Sequence, residues 1–157
     1  MRLAAIACIA LLACAAAAQP LAPKLDTATL TVHGERFTVE VARTPQEQFR
    51  GLGGRTHIDA DGGMLFPFGS PRLTAFVMRD CPIAIDVAFL DEEGRVISVH
   101  EMQPEPPRKP GESDTEYESR LRAYPSGLPA WFAFETKGGR LHELGVKGGD
   151  QVEITPK

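Results

Sequence analysis

Ile83-Ala84-Ile85-Asp86-Val87-Ala88-Phe89-Leu90 is followed by Asp91-Glu92-Glu93-Gly94 and then by Arg95-Val96-Ile97-Ser98-Val99-His100-Glu101-Met102. An apolar run broken only by Asp86, an acidic turn ending in glycine, and a second run rich in β-branched residues make a strand–turn–strand unit. The connection is longer than the ideal two-residue hairpin loop. Side chains alternate along a strand, which predicts Val96, Ser98, His100 and Met102 on one face.

The same grammar extends in both directions. Leu73–Met78 and the short apolar Met64-Leu65-Phe66 precede the unit, and residues 53–63 read as a loop. Leu73, Ala75 and Val77 are expected on one face, with Thr74, Phe76 and Met78 on the other. Thr44-Pro45-Gln46-Glu47 carries a capping box with proline at the first helical position, and Gly51 is a natural stop. A helix is predicted over Thr44–Arg50, with Phe49 and Leu52 as core contacts. Thr27–Val32 and Phe37–Val41 alternate around His33-Gly34-Glu35, a hairpin signal. On the other side, residues 103–128 form a long polar insertion beginning Pro104-Glu105-Pro106-Pro107. Within it, Ser113-Asp114-Thr115-Glu116 is a second capping box, predicting a helix over Asp114–Arg122. Ala130–Phe134 reads as a buried strand with Trp131 in the core. Arg140–Leu144 reads as a short helix stopped by Gly145, and Gln151–Ile154 as a final strand.

This pattern predicts a mainly β (α+β) fold: a compact β-barrel or sandwich-like single domain with two or three short peripheral helices. The organisation is a signal peptide over 1–18, a Pro-rich tether over 19–26, and one β-rich domain over 27–157 carrying the 103–128 insertion. A domain of this size suits one core.

Met1-Arg2 followed by a short apolar run has the layout of a secretory signal peptide. Two processing sites fit. Ala16-Ala17-Ala18 before Gln19 obeys the small-residue rule, and Leu11-Leu12-Ala13-Cys14 resembles a lipoprotein box that would leave Cys14 acylated. The expected location is exported, either periplasmic or anchored to the envelope through Cys14. The formal charge is −4, and loss of Arg2 makes it −5. With no basic stripe, nucleic-acid partners are not expected. Cys81 is then the lone thiol of the domain, either buried and inert or a reactive or metal-binding group.

Several stretches, taken in order, resemble one family: Thr44-Pro45, Arg50-Gly51-Leu52, Gly63-Met64-Leu65-Phe66, Phe76-Val77-Met78-Arg79, Ile85 to Asp91, Gly94-Arg95-Val96-Ile97, Tyr124-Pro125-Ser126, and Leu144-Gly145-Val146-Lys147 with Gly149-Asp150. Together they resemble the family called domain of unknown function 192, over about residues 28–155. The resemblance implies a compact, mostly β fold with short helices behind an export signal or lipid anchor, and no established activity. Val77 stands where many members have Trp, and Arg79-Asp80-Cys81 where many have Lys-Asn-Thr.

Three constellations carry chemistry. Met78 with His100-Glu101-Met102 is spaced similarly to the latter half of the motif of periplasmic copper chaperones. Thioether and imidazole ligands suit Cu(I), and Cys81 would add a thiolate. Phe66 and Pro67 stand where the first half of that motif would be. Next, Asp86 interrupts an apolar strand, so its carboxylate must be paired or perturbed. Arg79 is one candidate partner and backbone amides are the other. Asp80, Cys81, Asp86, His100 and Glu101 would gather into a polar cluster in which Cys81, Asp86 and His100 are the catalytic candidates. Last, Tyr124, Ser126 and Trp131 close the insertion and suit recognition of a glycan or protein. The binding candidates are Arg79, Asp80, Asp86, Glu101, Tyr124 and Ser126.

The expected function is a non-enzymatic binding or accessory module of the cell envelope, needing no cofactor, with a small ligand, glycan or envelope protein as partner. The first alternative is a Cu(I) chaperone-like protein using Met78, His100 and Met102. The second is a small enzyme built on Cys81, His100 and Asp86.

Overall fold

The computed structural model of the protein describes residues 25–156. The expected signal peptide, Cys14 and residues 19–24 of the tether lie outside them.

β1 (Thr27–Val32) and β2 (Glu35–Val41) pair antiparallel. His33 and Gly34 turn between them, both with positive φ (50° and 82°), the geometry of the tight hairpin turn that matches strand twist. The helix α1 (Pro45–Arg50) follows. Thr44 caps it, Glu47 completes the capping box, and Gly51 ends it with φ 50°, as the sequence predicts. β3 (Met64–Arg72), β4 (Ala75–Phe76), β5 (Ile85–Leu90) and β6 (Val96–Met102) come next. The insertion contains α2 (Asp114–Arg120), opened by the predicted Ser113–Glu116 capping box, and the short strand β7 (Tyr124–Pro125). β8 (Ala130–Lys137), α3 (Arg140–Glu143) and β9 (Glu153–Pro156) complete the chain.

Seven strands form one mixed sheet in the order β6-β5-β8-β3-β2-β1-β9, and β4 pairs separately with β7. Only β2 and β3 run parallel. The sheet curls without closing, within the expected barrel- or sandwich-like, mainly β single domain. Its two edges meet at one end alone, where Val96 N donates to Asp150 O (2.8 Å) and Val152 N to Gly94 O (2.9 Å).

Two apolar clusters flank the sheet. One lies inside the curl, where Leu30, Phe37, Leu65, Leu90 and Phe134 meet Leu141 and Val152. The other lies on the opposite face of β3, β8, β5 and β6. There Phe66, Met64, Ile85, Phe89 and Met102 are covered by Leu52, Met78 and Tyr124. The central strands are therefore buried on both faces, and every residue of β5 is buried. That explains its near-continuous apolar run.

Four expectations need correction. Phe49 is 66% exposed, because α1 buries none of its residues and turns this ring to solvent; Leu52 is buried as predicted. Of Leu73–Met78, only Ala75 and Phe76 pair as a strand, and Leu73 is exposed; Phe76 and Met78 do face the core. Val96 does not share a face with His100 and Met102. The register slips between Phe89 and Leu90, and this bulge sends Val96 into the inner cluster while Ile97 and Met102 pack in the outer one. Trp131 is half-buried and belongs to neither cluster.

Candidate functional site

β8 runs past Phe134 to Lys137, which places Glu135 and Thr136 inside the protein. Thr136 Oγ1 donates to Gly62 O at 2.7 Å, as a buried hydroxyl must. Glu135 is different. It lies opposite Met64 on β3 and Val87 on β5, in the middle of the sheet, and is 5% exposed. Its Oε2 is buried with no hydrogen-bond partner among the described residues. Burial pushes its carboxyl up to about 8, against the opposing pull of the Leu52 amide and the Arg55 guanidinium. Arg55 is itself held by Glu40 through two hydrogen bonds of 2.9 and 2.7 Å.

The outer surface above Glu135 is open. A cleft of about 330 Å³ reaches it between α1, the end of β3 and the segment 74–81, walled by Phe49, Phe66, Phe68, Phe76 and Val77. Phe66 and Phe76 meet edge to face at 5.0 Å. Arg72 lies over the Phe68 ring at 4.1 Å and Arg79 over Phe49 at 4.0 Å. With Arg50 these arginines make a cationic rim on an aromatic wall. Arg79 is paired with Glu118 of α2 through its Nε and through a 2.6 Å bond from its Nη2, and also donates to Phe49 O at 3.1 Å. The insertion is thus fastened to the cleft mouth.

Arg79 and Cys81 reach this cleft, whereas Asp86 sits elsewhere. Asp86 does not pair with Arg79. Its Oδ1 accepts from Gly139 N (2.8 Å) and its Oδ2 from Leu141 N (2.7 Å). Gly139, the N-cap of α3, supplies no side-chain cap of its own, so Asp86 caps the helix from a neighbouring strand. Burial raises its pKa, opposed by these two amides.

Cys81 is half-buried and its Sγ donates to Arg79 O at 3.3 Å. Burial pushes the thiol up to about 12, the reverse of an activated nucleophile. His100 Nε2 lies 2.8 Å from Pro125 O. A carbonyl only accepts, so this nitrogen carries the proton. Met78 and Met102 are fully buried members of the outer apolar cluster, the usual packing role of methionine. No three His, Cys, Asp or Glu side chains come together to hold a metal among the described residues.

The remaining candidates fasten the insertion. Ser126 N donates to Thr74 O (2.8 Å) and Ser98 Oγ to Ser126 O (2.9 Å). Tyr124 is buried and pairs with Phe76. Asp80 N donates to Tyr117 Oη (2.9 Å), which donates back to Asp80 Oδ1 (3.2 Å). Glu101 is exposed and accepts from Gln103. Sequence reasoning missed Glu135 and Tyr117. The signal for Glu135 was the one that exposed Asp86, an acid adjoining an apolar run.

Solved structures of bacterial proteins resemble this one. A Sinorhizobium meliloti protein, provisionally described as a transcription regulator, is 26% identical with a TM-score of 0.66, covering 82% of this chain and 92% of its own. A protein of unknown function from Novosphingobium aromaticivorans is 28% identical with a TM-score of 0.65, covering 92% of this chain and 99% of its own. No curated protein matches the chain. Residues 28–154 match the model of DUF192, described as an uncharacterized ACR. The chain therefore belongs to the DUF192 family, a family of unknown function.

Proposed function

We propose that the protein is a non-enzymatic binding module of the bacterial cell envelope, and that the cleft above Glu135 is its ligand site. The observation that carries this is a buried glutamate, Glu135, whose carboxyl has an unpartnered oxygen and which lines an open aromatic cleft. A buried polar atom without a partner costs about 1–3 kcal/mol, and a ligand that supplies the partner recovers that cost. The size and lining suit a small molecule, since ligand sites are mostly apolar with few placed polar groups. The N-terminal segment supports export. The charge pattern does not favour DNA binding of the kind the S. meliloti protein's description as a regulator would call for. The net charge is −4, and several arginines are already paired with carboxylates, which leaves no stripe to follow a phosphate backbone.

The test is an amide NMR titration with aromatic fragments bearing a ketone, a carboxylate, an alcohol or an ammonium group. Binding in the cleft shifts signals from residues 49–54, 66–68, 74–81 and 135. Ala75 is exposed at the cleft lip, so Ala75→Trp should block the site without disturbing the core and lower affinity at least tenfold. Absence of localised shifts with the whole panel, or an Ala75→Trp variant that binds as well as wild type, would overturn the proposal.

A further inference from the structure

The binding reading, on which this inference rests, leaves open what kind of group meets Glu135. A carboxyl is either an anion seeking a cation or a neutral acid offering a proton. Its surroundings decide between them. The nearest strand neighbours, Met64 on β3 and Val87 on β5, are uncharged. From the loop after α1 the Leu52 amide and Arg55 bear on the carboxyl. From the segment beyond β4 comes Cys81, a neutral thiol at physiological pH. Gly51, the stop of α1, covers the Oε2 side, where a Cβ would stand 3.5 Å from that oxygen. Only Arg55 favours the anion by its charge, and Glu40 already neutralises it.

The cleft mouth adds a second constraint. Arg50, Arg72 and Arg79 line it. Arg79 is balanced by Glu118, while Arg72 bonds only the neutral Gln48 amide oxygen (3.3 Å). An ammonium ligand would therefore pass the guanidinium of Arg72, which has no carboxylate partner among the described residues, to reach an uncharged floor.

We propose that Glu135 is a buried hydrogen-bond donor, presenting its carboxyl O–H to an acceptor oxygen on a small apolar ligand that is neutral or anionic. The Leu52 amide bears on the carboxyl from the loop after α1, and the carboxyl proton is left for the ligand. Phe66, Phe68 and Phe76 grip the apolar body, and the arginine rim favours an acidic group at the outer end. Carbonyl compounds and aromatic or branched-chain acids fit this pattern, and amines do not.

The experiment uses acetophenone, phenylacetate and phenethylammonium with the wild type, Glu135→Gln and Glu135→Leu. Glutamine keeps an N–H donor of similar shape, so Glu135→Gln should hold acetophenone within about threefold of wild type. Leucine removes the donor and should weaken it about tenfold, the worth of one buried hydrogen bond. Ionisation near pH 8 destroys the donor, so wild-type affinity for acetophenone should fall at least fivefold between pH 6 and 9.5, and Glu135→Gln should show no such fall. Phenethylammonium should bind weakest at pH 6. The inference is overturned if the ammonium binds best, if Glu135→Gln and Glu135→Leu lose acetophenone equally, or if affinity rises with pH. Any of these results leaves the binding site itself intact, whereas silence from every probe removes both.

Discussion

At the scale of one residue, Glu135 makes a prediction independent of any ligand. Its folded-state carboxyl titrates near 8 against an ordinary value of 4.5. Between those values the folded chain keeps a proton that the unfolded chain releases. Stability is therefore full below about pH 4.5 and falls as pH rises towards 8. Urea denaturation should show the wild type losing on the order of 1–3 kcal/mol from pH 5.5 to 8.5, allowing for relaxation around the ionised group. Glu135→Leu should remove most of that slope and be the more stable protein at pH 8.5. A wild type that gains stability across this range, or a leucine variant with an unchanged slope, would show that the carboxyl is not held neutral. Cys81 tells a complementary story. An acid and a thiol on one cleft suggest catalysis, yet burial raises both pKa values, so neither group is poised as a nucleophile at neutral pH.

At the scale of elements, Asp86 joins β5 to α3. The first turn of a helix exposes unpaired amides, and Gly139 offers no side chain to meet them. Asp86→Ala would leave Gly139 N and the buried Leu141 N without partners, at a cost of about 2–3 kcal/mol. Asp86→Asn keeps one acceptor oxygen and should lose about half as much, measured by thermal or urea unfolding. Equal stability of all three proteins would mean the cap is dispensable. Asp86 was legible because an acid inside an apolar strand demands an explanation. Glu135 poses the same demand but stands at the end of an apolar run, where Glu-Thr-Lys reads as the polar exit of a strand. Only the placement of β8 between β3 and β5 reveals that both its faces are covered that far along. The bulge in β6 was illegible for a related reason. Alternation along one strand says nothing of two residues facing one on a partner, and that slip moved Val96 to the other face. The capping boxes of α1 and α2 were legible because all their members lie within one turn.

At the scale of the whole molecule, a single β-rich domain could be read from the spacing of strands and turns. The open curl could not, because closure depends on how the first and last strands meet. The insertion is the part whose role the sequence left most open. Its two ends are held differently. Residues 124–126 are built into the fold by β7, by Thr74 and by Ser98, whereas α2 is docked by the Arg79–Glu118 pair and by the buried Tyr117 against Asp80. Arg108 and Arg120 stack on the Tyr117 ring at 4.6 and 4.9 Å, so the helix adheres through one aromatic anchor and one ion pair. Local opening free energies differ within a protein, and weakly anchored elements open first. Glu118→Ala should therefore lower global stability by about 1 kcal/mol or less, as for a partly exposed pair. It should also sharply accelerate hydrogen exchange across residues 114–121 while leaving 124–126 protected. The same variant frees Arg79 at the cleft mouth and should raise affinity for phenylacetate several-fold more than for acetophenone, because only the acid feels the added charge. Uniform exchange across the whole insertion would instead mean that it opens as one unit, and equal gains for both probes would separate the Arg79–Glu118 pair from ligand choice.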